Sequence, residues 1–293
     1  MRPQLFGQLA PTLLALGAIG LWSSLATLGV ALAHVPAFLL TGLSLVIGSL
    51  IALPLSGWRS SQWKVPLRTL GLGVYGLFVY HFLLFLALRY APPVQANLVN
   101  YLWPLLMVLL SPVFLAGMAL RRHHVAAALL GFAGATVVIL GNAPQTGGLA
   151  QVSQGQVLWG YLLALIAALI WASYSLLTKR VAPFPSAAVG SFALVSGVLS
   201  LGCHAWLEPA IALSKNDWML IMGMGLGPMG AAFFLWDKAL KLGDARHLGV
   251  LSYLTPLLST AMLTVVTGKP LTWNVIVATI MIIFAAWMGT RQK

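Results

Sequence analysis

The sequence predicts an all-α integral membrane protein with ten transmembrane helices in two inverted five-helix repeats. Three observations lead to this prediction: long unbroken apolar runs, a scarcity of charge, and an internal duplication. Hydrophobic residues make up 60% of the 293 residues and charged residues only 7%, whereas an ordinary soluble domain is about 25% charged. The mean hydropathy of +0.95 agrees with this, and no polar stretch is long enough to form a soluble head.

The apolar runs, taken in order, define the predicted helices. Each is close to the roughly 20 residues that cross the hydrocarbon core of a bilayer. Hydropathy and the positions of Gly and Pro place the spans near 9–33, 36–54, 67–89, 93–117, 125–141, 157–179, 184–206, 217–236, 247–267 and 271–289.

The basic residues predict the orientation of these spans. Lys and Arg concentrate in the cytoplasmic loops of membrane proteins. With the N-terminus inside, only Arg89, Lys215 and Lys269 of the 16 basic residues fall outside. Both termini are therefore predicted to be cytoplasmic. The basic residues are scattered among short loops instead of forming one clustered basic face, so no nucleic-acid partner is expected.

An internal duplication is the most informative pattern. Leu45-Val46-x-Gly48-x-Leu50 recurs as Leu194-Val195-x-Gly197-x-Leu199, and Tyr101-Leu102-Trp103-Pro104 matches Tyr253-Leu254-Thr255-Pro256. We therefore predict a first repeat over 1–141, an extracytoplasmic linker over 142–156 and a second repeat over 157–293. Because each half holds five spans, an odd number, the second half enters the membrane inverted. Inverted repeats are typical of secondary transporters, whose substrate site lies between the repeats.

With these features the chain resembles the drug/metabolite transporter superfamily, in its EamA-like branch. The motifs that carry the resemblance are Leu21-Trp22-Ser23-Ser24, Ile170-Trp171-Ala172-Ser173, the Pro-bearing fourth and ninth helices, the glycines Gly131, Gly134 and Gly141, and the run Asn100-Tyr101-Leu102-Trp103-Pro104. The last run resembles the YddG-type aromatic amino acid exporters. Many EamA-like repeats carry Gly-Glu after their fourth helix, but this chain has Gly117-Met118 and Gly268-Lys269. A mechanism that uses those acids is therefore not expected here.

The resemblance implies a bacterial inner-membrane exporter of aromatic or bulky neutral amino acids and related amphipathic metabolites. Export of other small metabolites or drugs is the alternative, with a channel or an intramembrane enzyme as weaker ones. No paired carboxylates, metal cluster or nucleotide loop lies in the spans, so we predict no catalytic residue, no metal and no cofactor. The expected partners are a small-molecule substrate and the lipid bilayer, and a monomer is favoured.

Helix four carries the first candidate site. Proline removes a helical hydrogen bond and displaces the carbonyl four residues earlier, which is that of Asn100 for Pro104 and of Ser252 for Pro256. Asn97, Asn100 and Tyr101 share a face with Pro104. We expect this face to line the substrate path and to present acceptors to an ammonium group. The alternative is a kink at which the Asn side chains bridge neighbouring helices.

Aromatic and polar residues complete the candidate substrate site. Trp22 and Trp171 lie mid-helix, where they either line a cavity or donate an interhelical hydrogen bond. Phe78 and His81 belong to a stripe with Phe82 and Phe85 that serves packing or binding. The full predicted set is Asn97, Asn100, Tyr101, Trp103, Trp22, Trp171, Tyr75, Phe78, Tyr80, His81, Ser252 and Tyr253.

Ionisable residues inside spans are candidates for function. His81 is the one placed well inside a predicted span, as a proton-coupling group or a neutral hydrogen-bonding group. Asp237 is predicted at the cytoplasmic end of helix eight, in a local ion pair with Lys241. A strongly charged substrate would need a buried countercharge, so a neutral or zwitterionic substrate is expected.

Overall fold

A computed structural model describes residues 2–141, 153–267 and 273–290 of the chain, and these residues are helical and loop structure without strands. The first half contains α1 (Arg2–Ser23), α2 (Leu25–Ala31), α3 (Ala37–Ser49), α4 (Ala52–Leu55), α5 (Leu67–Val74), α6 (Tyr80–Tyr90), α7 (Pro93–Asn100), α8 (Trp103–Phe114) and α9 (Arg122–Gly141). The second half contains α10 (Gln154–Leu177), α11 (Val189–Leu207), α12 (Lys215–Leu226), α13 (Ala232–Leu242), α14 (Ala245–Leu251), α15 (Leu254–Thr267) and α16 (Trp273–Thr290).

Several of these helices join into longer spans. Within the described residues, nine helical segments are long and apolar enough to cross a membrane, and Trp273–Gly289 is a shorter apolar helix. The nine are Leu9–Ala31, Ala37–Leu55, Leu67–Tyr90, Pro93–Phe114, Arg122–Gly141, Gln154–Leu177, Ser186–Leu207, Lys215–Leu242 and Ala245–Val266. They coincide with the first nine predicted spans. Residues 142–152, 268–272 and 291–293, including most of the predicted linker, Gly268 and Lys269, lie outside the described residues.

Two of the boundaries that differ from the prediction have a local explanation. Helix α10 begins at Gln154, because Ser153 and Gln156 form a reciprocal capping box that fixes the helix start. The last residues of the predicted linker are therefore helical. The eighth span continues to Leu242 instead of ending at 236, since Lys241 bonds back to Asp237 one turn earlier and extends the helix.

The fourth and ninth spans are each interrupted just before a proline. The fourth span is interrupted between Asn100 and Trp103, just before Pro104. The ninth is interrupted between Leu251 and Leu254, just before Pro256. Proline cannot donate the hydrogen bond that would continue the helix, and a kink at Pro104 belongs to the alternative interpretation of this helix face.

Two π-helical turns were not foreseen. Tyr75–Val79 separates α5 from α6, and Gly227–Ala231 separates α12 from α13. Such turns add one residue to a helical turn and occur often at functional sites. They begin 152 residues apart, the same offset that relates the prolines of the two kinks.

The described residues form two compact units, each built from both halves of the chain. Unit 1 comprises Met1–Val79 and Val181–Leu242, and unit 2 comprises Tyr80–Arg180 and Gly243–Lys293. In unit 1, α3 packs against α11 and α12, and α1 packs against α13. In unit 2, α9 packs against α16, α10 against α6, and α14 against α8. The compact units therefore differ from the sequence halves, because each contact pairs a helix of one half with a helix of the other.

Glycine makes the closest of these helix contacts possible. A Cβ atom on Gly48 of α3 would lie 2.7 Å from the Gly225 carbonyl oxygen and 2.8 Å from the Gly230 Cα. In unit 2, a Cβ on Gly131 would lie 2.4 Å from the Tyr253 ring. Small residues let helix backbones approach closely in membrane proteins.

Candidate substrate site

In unit 2, a hydrogen bond joins the side chains of Asn100 and Tyr80. Asn100 is the last residue of α7, where the kink before Pro104 leaves it 4% exposed. Its Nδ2 donates to the Tyr80 hydroxyl oxygen at 3.1 Å. Its Oδ1 is buried and accepts no hydrogen bond from the described residues. A buried acceptor without a donor costs about 1–3 kcal/mol, so this oxygen is well suited to receive a donor from a ligand.

Aromatic rings lie next to Tyr80, which accepts this hydrogen bond. We call Tyr80, His81, Trp103, Trp171 and Tyr174 the Trp171 cluster. The Trp171 ring centroid lies 5.2 Å from that of Tyr80, 6.3 Å from Trp103 and 5.4 Å from Tyr174. Tyr80 and His81 make an edge contact at 4.9 Å. Aromatic rings at such separations attract one another and offer large apolar faces.

The local sequence explains why these rings meet. Trp171 and Tyr174 are three residues apart on α10 and therefore share a face. Helix α6, which carries Tyr80 and His81, packs against that helix, as does α8, which begins at Trp103. Tyr174 was missing from the predicted set, although its spacing from Trp171 was a usable signal.

The other predicted residues of unit 2 lie in different surroundings. Asn97 is exposed and Tyr101 is half-buried. The Ser252 hydroxyl donates to the Leu248 carbonyl at 2.9 Å, which satisfies it within its own helix. Tyr253 is fully buried in a core cluster with Ala135, Val138, Leu257, Val275, Ala278 and Ile282.

Unit 1 contains a second aromatic group around Trp22. The Trp22 ring lies 5.3 Å from Trp236 and 6.1 Å from Phe233, because α1 packs against α13. Trp236 was not predicted, although it lies three residues from Phe233 on the same helical face. Tyr75 and Phe78 are half-buried in the π turn Tyr75–Val79.

One ion pair of unit 1 has a buried carboxylate. Lys241 Nζ lies 2.6 Å from Asp237 Oδ2, and the Asp237 side chain is 2% exposed. Lys241 also donates to the Phe184 carbonyl at 2.9 Å and lies 3.8 Å from the centre of its ring. The predicted local ion pair is confirmed. Both residues lie in the C-terminal part of α13, which ends at Leu242, as the sequence predicts.

Comparison with known proteins decides the family. The model of the EamA-like transporter family matches the chain twice, over residues 9–140 and 158–290. The chain belongs to the EamA-like transporter family. This EamA-like protein is thus a multi-pass membrane transporter and not an enzyme.

Curated relatives agree with this assignment. The EamA-like chain is 44% identical over 257 residues to the aromatic amino acid exporter YddG of Ancylobacter novellus, covering 87% of this chain and 88% of that one. It is 30% identical over 227 residues to YddG of Escherichia coli, covering 74% and 76%. One solved crystal structure matches with a TM-score of 0.90 and 39% identity, over 97% of this chain and 96% of the other.

Proposed function

We propose that this transporter exports aromatic and other bulky neutral amino acids by alternating access. The supporting observation is the buried Asn100 with an unpaired Oδ1 beside the rings of the Trp171 cluster. The similar proteins named aromatic amino acid exporters support the same substrate class.

The proposed recognition combines stacking with one directed hydrogen bond. The aromatic side chain of the substrate packs among Tyr80, Trp103 and Trp171, and its ammonium group donates to Asn100 Oδ1. Hydrogen bonds to charged groups contribute about 1.5–3 kcal/mol, which suffices to orient the substrate. The four acids of the chain are at positions 208, 217, 237 and 244, so no carboxylate lies near this cluster in the sequence of the third, fourth or sixth span. A substrate without net charge fits this composition.

We further propose ten spans in two inverted five-helix repeats, at 1–141 and 157–293. The double match to the family model supports the duplication. So do the two π turns and the two proline kinks, each pair separated by the same offset in sequence. Helix α1 of the first half packs against α13 of the second half in unit 1, and α10 of the second half packs against α6 of the first half in unit 2. These two contacts are alike with the halves exchanged, which supports a duplicated fold.

The proposed location is the bacterial inner membrane, with both termini in the cytoplasm. The distribution of Lys and Arg supports this orientation. The proposed mode of transport is facilitated diffusion down the substrate gradient, because none of the four acids lies in the spans that form the Trp171 cluster. Initial rates that are independent of an imposed pH gradient are the expected result. If the initial rates instead depend on the pH gradient, and the His81→Gln variant loses that dependence, the transporter is proton-coupled.

Transport by the purified protein in liposomes tests the substrate and the site together. We expect saturable movement of aromatic amino acids, accelerated by counter-substrate. Asn100→Ala is expected to weaken apparent substrate affinity about tenfold or more, from the loss of one charge-assisted hydrogen bond. Ser111→Ala is the matched control, since Ser111 is a buried polar residue of the same span whose hydroxyl bonds to the Val108 carbonyl.

Two outcomes would contradict the proposal. Unchanged transport by Asn100→Ala and Asn97→Ala, at normal expression, would remove this helix face from the site. Movement of lipids or nucleotide sugars with no amino acid transported would overturn the substrate class.

A further inference from the structure

Five basic residues, which lie in three separate loops of the sequence and were expected to be scattered, gather at one end of unit 2. Arg246 Nη1 donates to the Ala119 carbonyl at 2.6 Å, which places Arg246 beside the loop that leads to Arg121 and Arg122. Lys179 Nζ donates to the Gly243 carbonyl at 2.9 Å, which places Lys179 and Arg180 beside the start of α14. The loops before α9, after α10 and before α14 therefore contribute to one basic region.

Two of these five side chains are already satisfied. The Arg246 guanidinium lies 3.1 Å from Asp244 Oδ1 through Nε. Burial acts to raise the pKa of Asp244, but its bonds to Arg246 outweigh burial and lower that pKa overall, so the carboxylate is ionised and paired. Burial lowers the pKa of Lys179, with the charge of Asp244 opposing this shift.

The other three basic side chains are exposed and unpaired. Arg121, Arg122 and Arg180 are each exposed, and their guanidinium groups form no hydrogen bond or ion pair with the described residues. The only acid of the region, Asp244, is occupied by Arg246. Unpaired like charges in one region create a positive potential that attracts an anion. Guanidinium groups are suited to phosphate, which they bind with two parallel hydrogen bonds.

The surface next to the arginines is apolar. Arg122, Ala126 and Leu129 are exposed and spaced at i, i+4 and i+7, so they follow one face of α9. The small Ala126 leaves this face shallow between Arg122 and the 52% exposed Leu129. Because the span Arg122–Gly141 starts at this arginine, the face passes from the membrane boundary into the hydrocarbon. A soluble phosphate gains nothing from contact with an apolar face, whereas the acyl chain of a lipid packs against it.

We propose that Arg121 and Arg122 bind the phosphate headgroup of an anionic membrane lipid, with its acyl chain along Ala126 and Leu129. Arg180 adds to the positive potential of the site. The site is separate from the Trp171 cluster, and the proposal does not depend on the transported substrate.

Native mass spectrometry of the full-length protein in detergent tests this proposal. Phosphatidylglycerol is compared with phosphatidylcholine of identical acyl chains and with glycerophosphoglycerol, which has the same phosphodiester headgroup without chains. We expect selective retention of phosphatidylglycerol. A basic residue near a membrane surface contributes about 1 kcal/mol to the binding of anionic lipid. In R121Q/R122Q the apparent dissociation constant is therefore expected to rise on the order of 30-fold.

The control is K64Q/R68Q, which removes two exposed basic residues at the start of another span and is expected to leave this binding unchanged. Should the double variant fail to fold, the single variant Arg122→Gln is expected to weaken binding about fivefold. Equal retention of phosphatidylcholine, or an equal loss in the control, would overturn the site. Full competition by glycerophosphoglycerol would overturn the assignment to a lipid.

Discussion

At the scale of single residues, the ion pair of Asp237 and Lys241 in unit 1 has a buried carboxylate. Its carboxylate is almost completely removed from solvent, and taking charges out of water costs several kcal/mol per ion unless they are paired. Lys241 holds the carboxylate and also bonds to the Phe184 carbonyl. The pair therefore connects the chain after α10 to α13.

Removing one partner of this pair should lower the free energy of unfolding more than removing both. We expect Lys241→Met to lower the free energy of unfolding by about 3–5 kcal/mol, because it leaves Asp237 buried and uncompensated. The double variant D237N/K241M should recover part of this loss. Thermal unfolding in detergent measures both, with Lys238→Met, an exposed lysine of the same helix, as the control. Equal losses in Lys241→Met and Lys238→Met would contradict a buried pair.

Asn100 illustrates how a backbone feature positions a residue of the proposed site. Asn100 was a predictable candidate from the sequence, since Pro104 frees the backbone carbonyl of Asn100 from its helical hydrogen bond and the Asn100 side chain is itself polar. Its hydrogen bond to Tyr80 was not predictable, because the two residues belong to different helices. The orientation of the unpaired Oδ1 follows from that hydrogen bond.

At the scale of helices, backbone contact through glycine fixes how α3 packs in unit 1. Gly48 faces the Gly225 carbonyl and the Gly230 Cα, so an added methyl group would meet backbone on the opposite side and not a movable side chain. The neighbouring π turn Gly227–Ala231 allows this approach, since Gly230 lies within it.

Substitution of Gly48 should therefore separate these helices. Gly48→Ala is expected to destabilise unit 1 by about 1–3 kcal/mol, the usual cost of overpacking. Gly223→Ala is the matched control, because nothing lies within 4 Å of its added Cβ. Alanine is the better helix former by about 1 kcal/mol, so the control should be neutral or stabilising. Thermal unfolding of both variants decides, and a Gly48→Ala protein as stable as the control would contradict the close contact.

At the scale of the whole molecule, the charge pattern makes a prediction about topology. In a Cys203→Ser background, Ala210→Cys should react with a membrane-impermeant maleimide in spheroplasts. Ser61→Cys should react only after permeabilisation. Both positions are exposed and lie in loops predicted on opposite sides of the membrane. Tags at both termini should be protected in intact spheroplasts. Labelling of Ser61→Cys in intact spheroplasts, or one accessible terminus, would contradict ten spans with this orientation.

Much of the architecture followed from the sequence because hydropathy and helix length are local properties. Nine spans, the breaks before Pro104 and Pro256, and the ion pair of Asp237 with Lys241 all depend on residues at most a few turns apart. The π turns could not be predicted, since the insertion of one residue into a helix leaves no mark on hydropathy.

The sequence by itself determined that this chain is a helical membrane protein, because the bilayer dictates apolar length and loop charge, and its motifs indicated the candidate residues of the site. Only the tertiary structure decided how the candidates divide. Asn100, Tyr80, Trp103 and Trp171 meet in unit 2, Trp22 pairs with Trp236 in unit 1, and Tyr253 packs into a core. The physical reason is that helices of one half pack against helices of the other, and the choice of partner depends on contacts between residues far apart in the chain.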